Sequence, residues 1–199
     1  MPAQLGLFGS TDAPSLAPRF ERVVRRELEP GAWVEHLSGF LEGQATVFEQ
    51  LRGGLRWREE QRVMYDKTVL VPRLYATLPE DGALPPILER ARRLLEERYG
   101  EALPRVSVGY YRDGRDSVAW HGDYVARRME SALVATISLG APRPFVLRSR
   151  SSRHKLRWSL GFGDLFVMGG SCQRTWEHAV PKQKHAAPRI SVMFRGNWG

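Results

Sequence analysis

One cysteine in 199 residues, Cys172, leaves no partner for an internal disulfide and too few thiolates for a cysteine-based zinc site. No stretch approaches the roughly 18 consecutive apolar residues of a membrane-spanning helix. The N-terminus has no basic start leading into an apolar segment, so a cytoplasmic protein without membrane contact is expected. Internal repeats and low-complexity tracts are missing, so the chain does not read as a repeat array. Acids are scarce relative to bases: 22 Asp plus Glu against 30 Lys plus Arg give a net charge of +8. That sign suits a polyanion, nucleic acid before a membrane surface; a merely basic, solvated surface is the plain alternative.

What is present is enough for one well-filled domain, with 42% hydrophobic residues and no coiled-coil pattern, so a monomer is expected. Residues 1–18 are rich in Gly, Pro and small residues and read as a flexible tail. Residues 19–199 read as a single domain in two parts, a helical and mixed N-terminal extension over 19–104 and a β-core over 105–199. In the first part, Val47, Phe48, Leu51 and Leu55 recur at helical spacing before Gly53-Gly54 and beyond. "PPILERARRLLEERYG" gives the clearest helix, with Pro at its start, Ile87, Leu88, Ala91, Leu94 and Leu95 on one face, and Gly100 after it. "KTVLVPRLYATL" reads as a strand broken at Pro72. From about residue 104 short strands follow one another between Gly, Pro and charged turns. The fold class expected is α+β, mainly β, with a jelly-roll core.

Two places carry candidate chemistry. In "SVAWHGD", strand alternation puts Ser117, Ala119, His121 and Asp123 on one face, with Val118 and Trp120 on the other. His178, in "TWEHAV", is a distant second histidine. Two imidazoles and a carboxylate leave open positions on a metal, as a non-haem iron(II) oxygenase requires, although an isolated His-x-Asp has innocent explanations too. In "PRISVMFR", Arg189, Ser191, Met193 and Arg195 alternate with Ile190, Val192 and Phe194. Either the arginines lie exposed on an edge strand, or they are buried and need a partner such as a dicarboxylate.

These pieces, in order, resemble the AlkB-type Fe(II)/2-oxoglutarate dioxygenases of alkylated nucleic-acid repair: "PR" at 72–73, "YRDG" at 111–114, "WHGD" at 120–123, "SLG" at 138–140, "GDLFVMGG" at 163–170, "WEH" at 176–178 and "PRISVMFR" at 188–195. The resemblance covers residues 70–199 well and the first seventy loosely. It implies a double-stranded β-helix core with N-terminal helices and a substrate-recognition lid. It implies Fe(II) held by His121, Asp123 and His178, with 2-oxoglutarate and O2 as co-substrates. Arg189 would meet the far carboxylate of 2-oxoglutarate with help from Ser191 and the Tyr111 hydroxyl, and Arg195 would lie near the keto-acid end. The reaction implied is oxidative demethylation of bases such as N1-methyladenine or N3-methylcytosine in single-stranded DNA or RNA, releasing formaldehyde, succinate and CO2.

Two positions depart from the family pattern. Gly109 stands where many members carry an asparagine that contacts 2-oxoglutarate, and Val125 where several repair members carry an acid. The second departure keeps a protein, modified tRNA or small-molecule substrate in view. A basic binding module with an inert metal site, or a zinc hydrolase, would leave the arginines unexplained. For the substrate, Tyr65, Tyr75 and Trp57 are aromatics available for stacking, and Arg73 is in reach of a phosphate. Arg143, Arg148, Arg150, Arg153 and Lys155 make a basic stretch that either follows a phosphate backbone or is simply solvated. Cys172 reads as a small buried residue, and His36, His154 and His185 as surface residues.

Overall fold

Ile190, Val192 and Phe194 alternate with Arg189, Ser191, Met193 and Arg195 along the last strand, and the fold gives each set its own interior. The computed structural model describes residues 13–17, 20–28, 30–64, 67–123 and 126–197. The chain begins with β1 (Ser15–Leu16), a 3-10 turn, the hairpin β2 (Val24–Leu28) and β3 (Ala32–Leu37), then β4 (Leu41–Glu42) and α1 (Gln44–Gly54). A second hairpin, β5 (Arg58–Met64) and β6 (Lys67–Leu78), leads into α2 (Pro86–Tyr99). There follow β7 (Arg105–Tyr111), β8 (Val118–His121), β9 (Val134–Gly140), β10 (Arg143–Ser149), β11 (Lys155–Leu160) and β12 (Asp164–Gly170). A single helical turn, α3 (Cys172–Thr175), then leads to β13 (Trp176–Val180) and β14 (Arg189–Arg195). No helix among the described residues is long and apolar enough to cross a membrane.

Two antiparallel sheets face each other. The larger runs β2-β3-β12-β9-β14-β7-β6-β5, and the smaller runs β11-β10-β13-β8. This is the β-sandwich expected of a jelly-roll core. The outer face of the large sheet, with Val106, Val108, Ala135, Ile137, Ile190, Val192 and Phe194, packs on α1 and α2. Those helices supply Val47, Phe48 and Leu51, and Leu88, Ala91 and Leu95, one stripe from each. The inner face, toward the small sheet, carries a second cluster including Tyr111, Val118, Phe145, Leu147, Phe166, Met168 and Trp176. The arginine alternative left open by the sequence is therefore decided: β14 sits between β9 and β7, buried on both faces.

Three expectations change. Ser15–Leu16 pair with β4 and Leu16 is buried, so these residues do not belong to the tail expected over 1–18; residues 1–12 lie outside those described. The N-terminal part is not mainly helical, because β2 and β3 join the large sheet through β12. Pro72 does not break β6: the register moves from Leu74 to Val71 while β5 advances one residue, so Pro72 and Arg73 form a bulge inside a continuous strand.

The seam between β3 and α2 is polar. Glu35, 5% exposed, accepts from Tyr99 Oη at 2.6 Å, Arg98 Nη2 at 3.1 Å and Arg25 Nη1 at 3.2 Å. Burial alone would raise the carboxyl's pKa, but the Tyr99 hydroxyl and the Arg98 and Arg25 guanidinium groups outweigh it and hold it below the ordinary glutamate value. A carboxylate depressed in the folded state stabilises above its unfolded pKa, and that contribution is lost as pH falls through the folded one. Glu35→Gln is expected to lower stability at pH 7 by roughly 1.5–3 kcal/mol. Urea unfolding at descending pH should show the gap to the parent closing below the ordinary carboxylate range.

Candidate active site

The two histidines meet because the small sheet makes them neighbours. His178 on β13 is in register with His121 at the end of β8, and their ring centroids lie 4.2 Å apart. Between this pair and the next, Val180 with Val118, β8 carries one residue more than β13. That bulge corrects the simple alternation: Val118 lines the same cavity as His121, while Ala119 is exposed. Trp120 lies half-buried outside, under the Arg148 guanidinium at 4.5 Å. His121 Nδ1 is 2.9 Å from the Ala119 carbonyl oxygen. A carbonyl only accepts, so Nδ1 is the donor in this contact, and Nε2 is the ring nitrogen placed to ligate a metal.

Asp123 follows on the loop. Its backbone N–H donates to Gln173 Oε1 at 2.9 Å, and its Oδ2 stands 2.6 Å from Arg195 Nε. The ion pair is close but out of line for a hydrogen bond, so this buried carboxylate oxygen accepts none. Arg195 is steadied by Ser107 Oγ at 2.6 Å. Among the described residues no three His, Cys, Asp or Glu side chains already converge as a donor set. The histidine pair is the prearranged part, and Asp123 is drawn toward Arg195. The donors fit Fe(II) nevertheless: two imidazoles and a buried carboxylate oxygen without a hydrogen bond suit a divalent cation better than any neutral ligand.

Arg189 closes the other end. It is 1% exposed, and Nη2 donates to Ser138 Oγ at 2.7 Å. Its Nε and Nη1 have no acceptor among the described residues. Burial pulls its pKa below the ordinary arginine value; Tyr111 opposes this, and the charges of Arg143 and Arg73 add to it. Arg143 is buried as deeply but is differently served, its two terminal nitrogens donating to the carbonyls of Asp113, Asp116 and Pro181. Arg143 therefore braces loops and is not part of a surface track, a correction to its place in the basic stretch. Arg148 and Arg150 both pair with Glu177, which leaves Arg153 and Lys155 as the exposed cations of that set without an ion pair among the described residues.

His121, Asp123, His178, Tyr111, Arg189, Ser191, Arg195, Arg73 and Tyr75 all line one narrow cavity of ≈ 120 Å³ between the sheets. It adjoins a broader groove of ≈ 550 Å³, which shares Tyr75, Asp123 and Arg195 with it and adds Arg105, Glu80 and Ser107. Tyr65 lies outside the described residues, as does Val125. Trp57 is not at the site; it packs on Tyr110, ring centroids 5.2 Å apart, on the outer face. Cys172 is buried, and burial pushes its thiol up to about 12, away from nucleophilic chemistry. His36 is not a lone surface residue, since its Nε2 is 3.6 Å from Asp164 Oδ2. His154 meets the Trp176 ring edge-on, and His185 is exposed.

Sequence reasoning missed Gln173 and Ser138. Ser138 had a signal, a polar residue at period two with Thr136 inside an otherwise apolar strand. Gln173 had none, because its role depends on α3 folding back beneath the Asp123 loop.

Three comparisons bear on this geometry. A family model described as the 2OG-Fe(II) oxygenase superfamily matches residues 21–195. The chain is 29% identical over 172 residues to alpha-ketoglutarate-dependent dioxygenase alkB homolog 3 of Bos taurus, covering 75% of this chain and 60% of that protein. It is 33% identical over 119 residues to DNA oxidative demethylase ALKBH2 of Mus musculus, covering 55% of this chain and 50% of that protein. The chain thus spans 60% or less of the length of these two relatives. Among solved structures, that of OsALKBH1 superposes with a TM-score of 0.57 at 14% identity, over 87% of this chain and 100% of that one. An oxidoreductase of the 2OG-Fe(II) oxygenase family from Burkholderia pseudomallei gives 0.53 at 17% identity, over 75% and 76%. At such identities the two structures speak for the fold alone.

Gln173, 1% exposed, holds the Asp123 backbone and donates from Nε2 to Met168 Sδ at 3.7 Å. Gln173→Ala is expected to weaken Mn(II) binding by roughly 10–100-fold, as losses of outer supports to metal ligands do. Titration followed by electron paramagnetic resonance checks this, with Gln173→Glu as the variant that keeps the acceptor.

Proposed function

The chain belongs to the 2OG-Fe(II) oxygenase superfamily, and from that premise we propose that it is an oxidative demethylase of alkylated nucleic-acid bases such as N1-methyladenine and N3-methylcytosine. The family's metal is Fe(II), and its co-substrates are 2-oxoglutarate and O2. One observation carries the reading: a single cavity sets two facing imidazoles and a carboxylate beside a buried arginine with two open donors.

His121, Asp123 and His178 hold the iron, His121 through Nε2. When bound, Fe(II) with 2-oxoglutarate and O2 supplies the oxidation that turns an N-methyl group into formaldehyde while 2-oxoglutarate becomes succinate and CO2. Arg189 offers its planar fork to the far carboxylate, with Ser191 and Tyr111 hydroxyls beside it. Arg195 pairs with Asp123 by charge. Apolar Val118, Val134, Phe145 and Met168 line the rest of the cavity and keep water from the reacting groups. The broader groove receives the flipped base, with the Tyr75 ring at its border as a stacking surface and Arg105 as a cation for the strand.

The relatives' names support the substrate class, one being called a DNA oxidative demethylase. The same chemistry on a protein side chain, a modified tRNA base or a small molecule is the second reading. It is favoured by the thinner cationic track left once Arg143 is buried and Glu177 answers Arg148 and Arg150.

Protein reconstituted with Fe(II) and 2-oxoglutarate should release formaldehyde from short single-stranded DNA or RNA carrying N1-methyladenine or N3-methylcytosine. His121→Ala should abolish release and leave strand binding within about twofold. Conversion of 2-oxoglutarate without any change in base mass would overturn the nucleic-acid reading and favour the second.

A further inference from the structure

Two thioethers line the inner cavity, those of Met168 on β12 and Met193 on β14. Both belong to the large sheet, whereas His121 and His178 come to the same cavity from the small one. Adjacent rows hold them: Val134 on β9 is in register with Met168 and with Arg195, and Thr136 with Met193. Each sulfur accepts a hydrogen bond from a side chain that also touches Asp123. Gln173 Nε2 donates to Met168 Sδ at 3.7 Å, while Gln173 Oε1 takes the Asp123 N–H at 2.9 Å. Arg195 Nη2 donates to Met193 Sδ at 3.4 Å, while Arg195 Nε stands 2.6 Å from Asp123 Oδ2. A thioether is a weak acceptor, so both donors are poorly served by it.

We propose that Met168 and Met193 are self-oxidation sites, their sulfurs converted to sulfoxides when the site consumes 2-oxoglutarate with no substrate in place. The inference rests on the functional reading above, which supplies the oxidant from 2-oxoglutarate and O2. In the step, a sulfur lone pair bonds to one oxygen atom of O2, and the other atom enters the succinate carboxylate as 2-oxoglutarate loses CO2. The thioether and 2-oxoglutarate each give two electrons, which together reduce O2; no proton moves and no group leaves the methionine. Val118, Val134, Phe145 and Val180, which line the same space, would have to surrender a C–H bond instead. The sulfurs are the readier targets. At 2% exposure Met168 is shielded from oxidants in solution, whereas Met129, 37% exposed, is open to them. Oxygen gained at Met168 in preference to Met129 therefore reports an oxidant made within the cavity. A sulfoxide oxygen is a stronger acceptor than the sulfur and draws Gln173 Nε2 and Arg195 Nη2 to itself, shifting both side chains in contact with Asp123. Modification thereby loosens the metal site, and an enzyme running without substrate silences itself.

The test incubates the Fe(II)-loaded full chain with 2-oxoglutarate and isotopically heavy O2, without nucleic acid, and reads the peptides by mass spectrometry. Heavy oxygen is expected on Met168 and Met193 ahead of Met129, only with 2-oxoglutarate present, and not in His121→Ala. Fragment masses separate Met168 from Cys172. Succinate formed with neither sulfur labelled overturns this inference and leaves the functional reading standing. Label on one sulfur alone overturns it for the other. Label spread equally to Met129, independent of 2-oxoglutarate or surviving in His121→Ala marks stray peroxide and also overturns it. No succinate at all overturns the functional reading together with this one. The labelled protein, stripped of iron and titrated with Mn(II), should bind roughly 10–100-fold more weakly than protein incubated without 2-oxoglutarate. Unchanged affinity overturns the link from the sulfurs to Asp123. The same incubation should cost no affinity in a double variant, Met168→Leu with Met193→Leu; a loss there too places the damage elsewhere and overturns that link.

Discussion

A guanidinium taken out of water costs several kcal/mol unless acceptors replace the water it loses, and the interior of this sandwich is arranged around that cost at Arg189. The strand bearing it lies between β9 and β7, and from Arg189 to Val192 both of its faces are buried. Its apolar residues turn to the helices, so its polar ones must turn inward, and the inner face becomes a polar floor of Ser107, Ser138, Ser191 and the arginines. Arg143 shows the structural way to meet the cost, with backbone carbonyls capping its ends. Arg189 is left with two donors, Nε and Nη1, that no described residue accepts, against one in Arg143, which separates a strut from a receptor using the same residue type.

Regular pairing carries the scaffold, and departures from it carry the site. The extra residue on β8 brings His121 and Val118 into one cavity despite their odd spacing. The bulge on β6 does the same service for Arg73. At both points the sequence gives up ladder hydrogen bonds, a local loss that a purely structural sheet would have no reason to keep.

The strands from 105 onward were legible because each apolar residue there has a sheet face to fill, and alternation records it. Both helices announced themselves by apolar stripes and, for α2, by Pro86 and Gly100 at its ends. The hairpin of β2 and β3 was not legible: "VRREL" is exposed and charged, and it is strand only because β3 completes the large sheet along β12. The same limit applies to side chains. His121, Asp123, His178 and Arg189 could be named from motif and order, whereas the burial of Arg143 and the reach of Gln173 depend on loops brought together from distant parts of the chain. Trp57 misled because a residue near a site in sequence says nothing about which face of its strand or loop it will occupy.

Among the described residues β8 is the outermost strand of the small sheet, four residues long and irregular beside its one paired neighbour. A long flat strand in that place would offer free backbone groups to any other chain able to add itself to the sheet. Shortness and a bulge are two ways in which proteins blunt such an edge. The irregularity that sets His121 against His178 therefore also makes β8 a poor template for an added strand, and a substitution that straightened it would alter the sheet's edge as well as its chemistry.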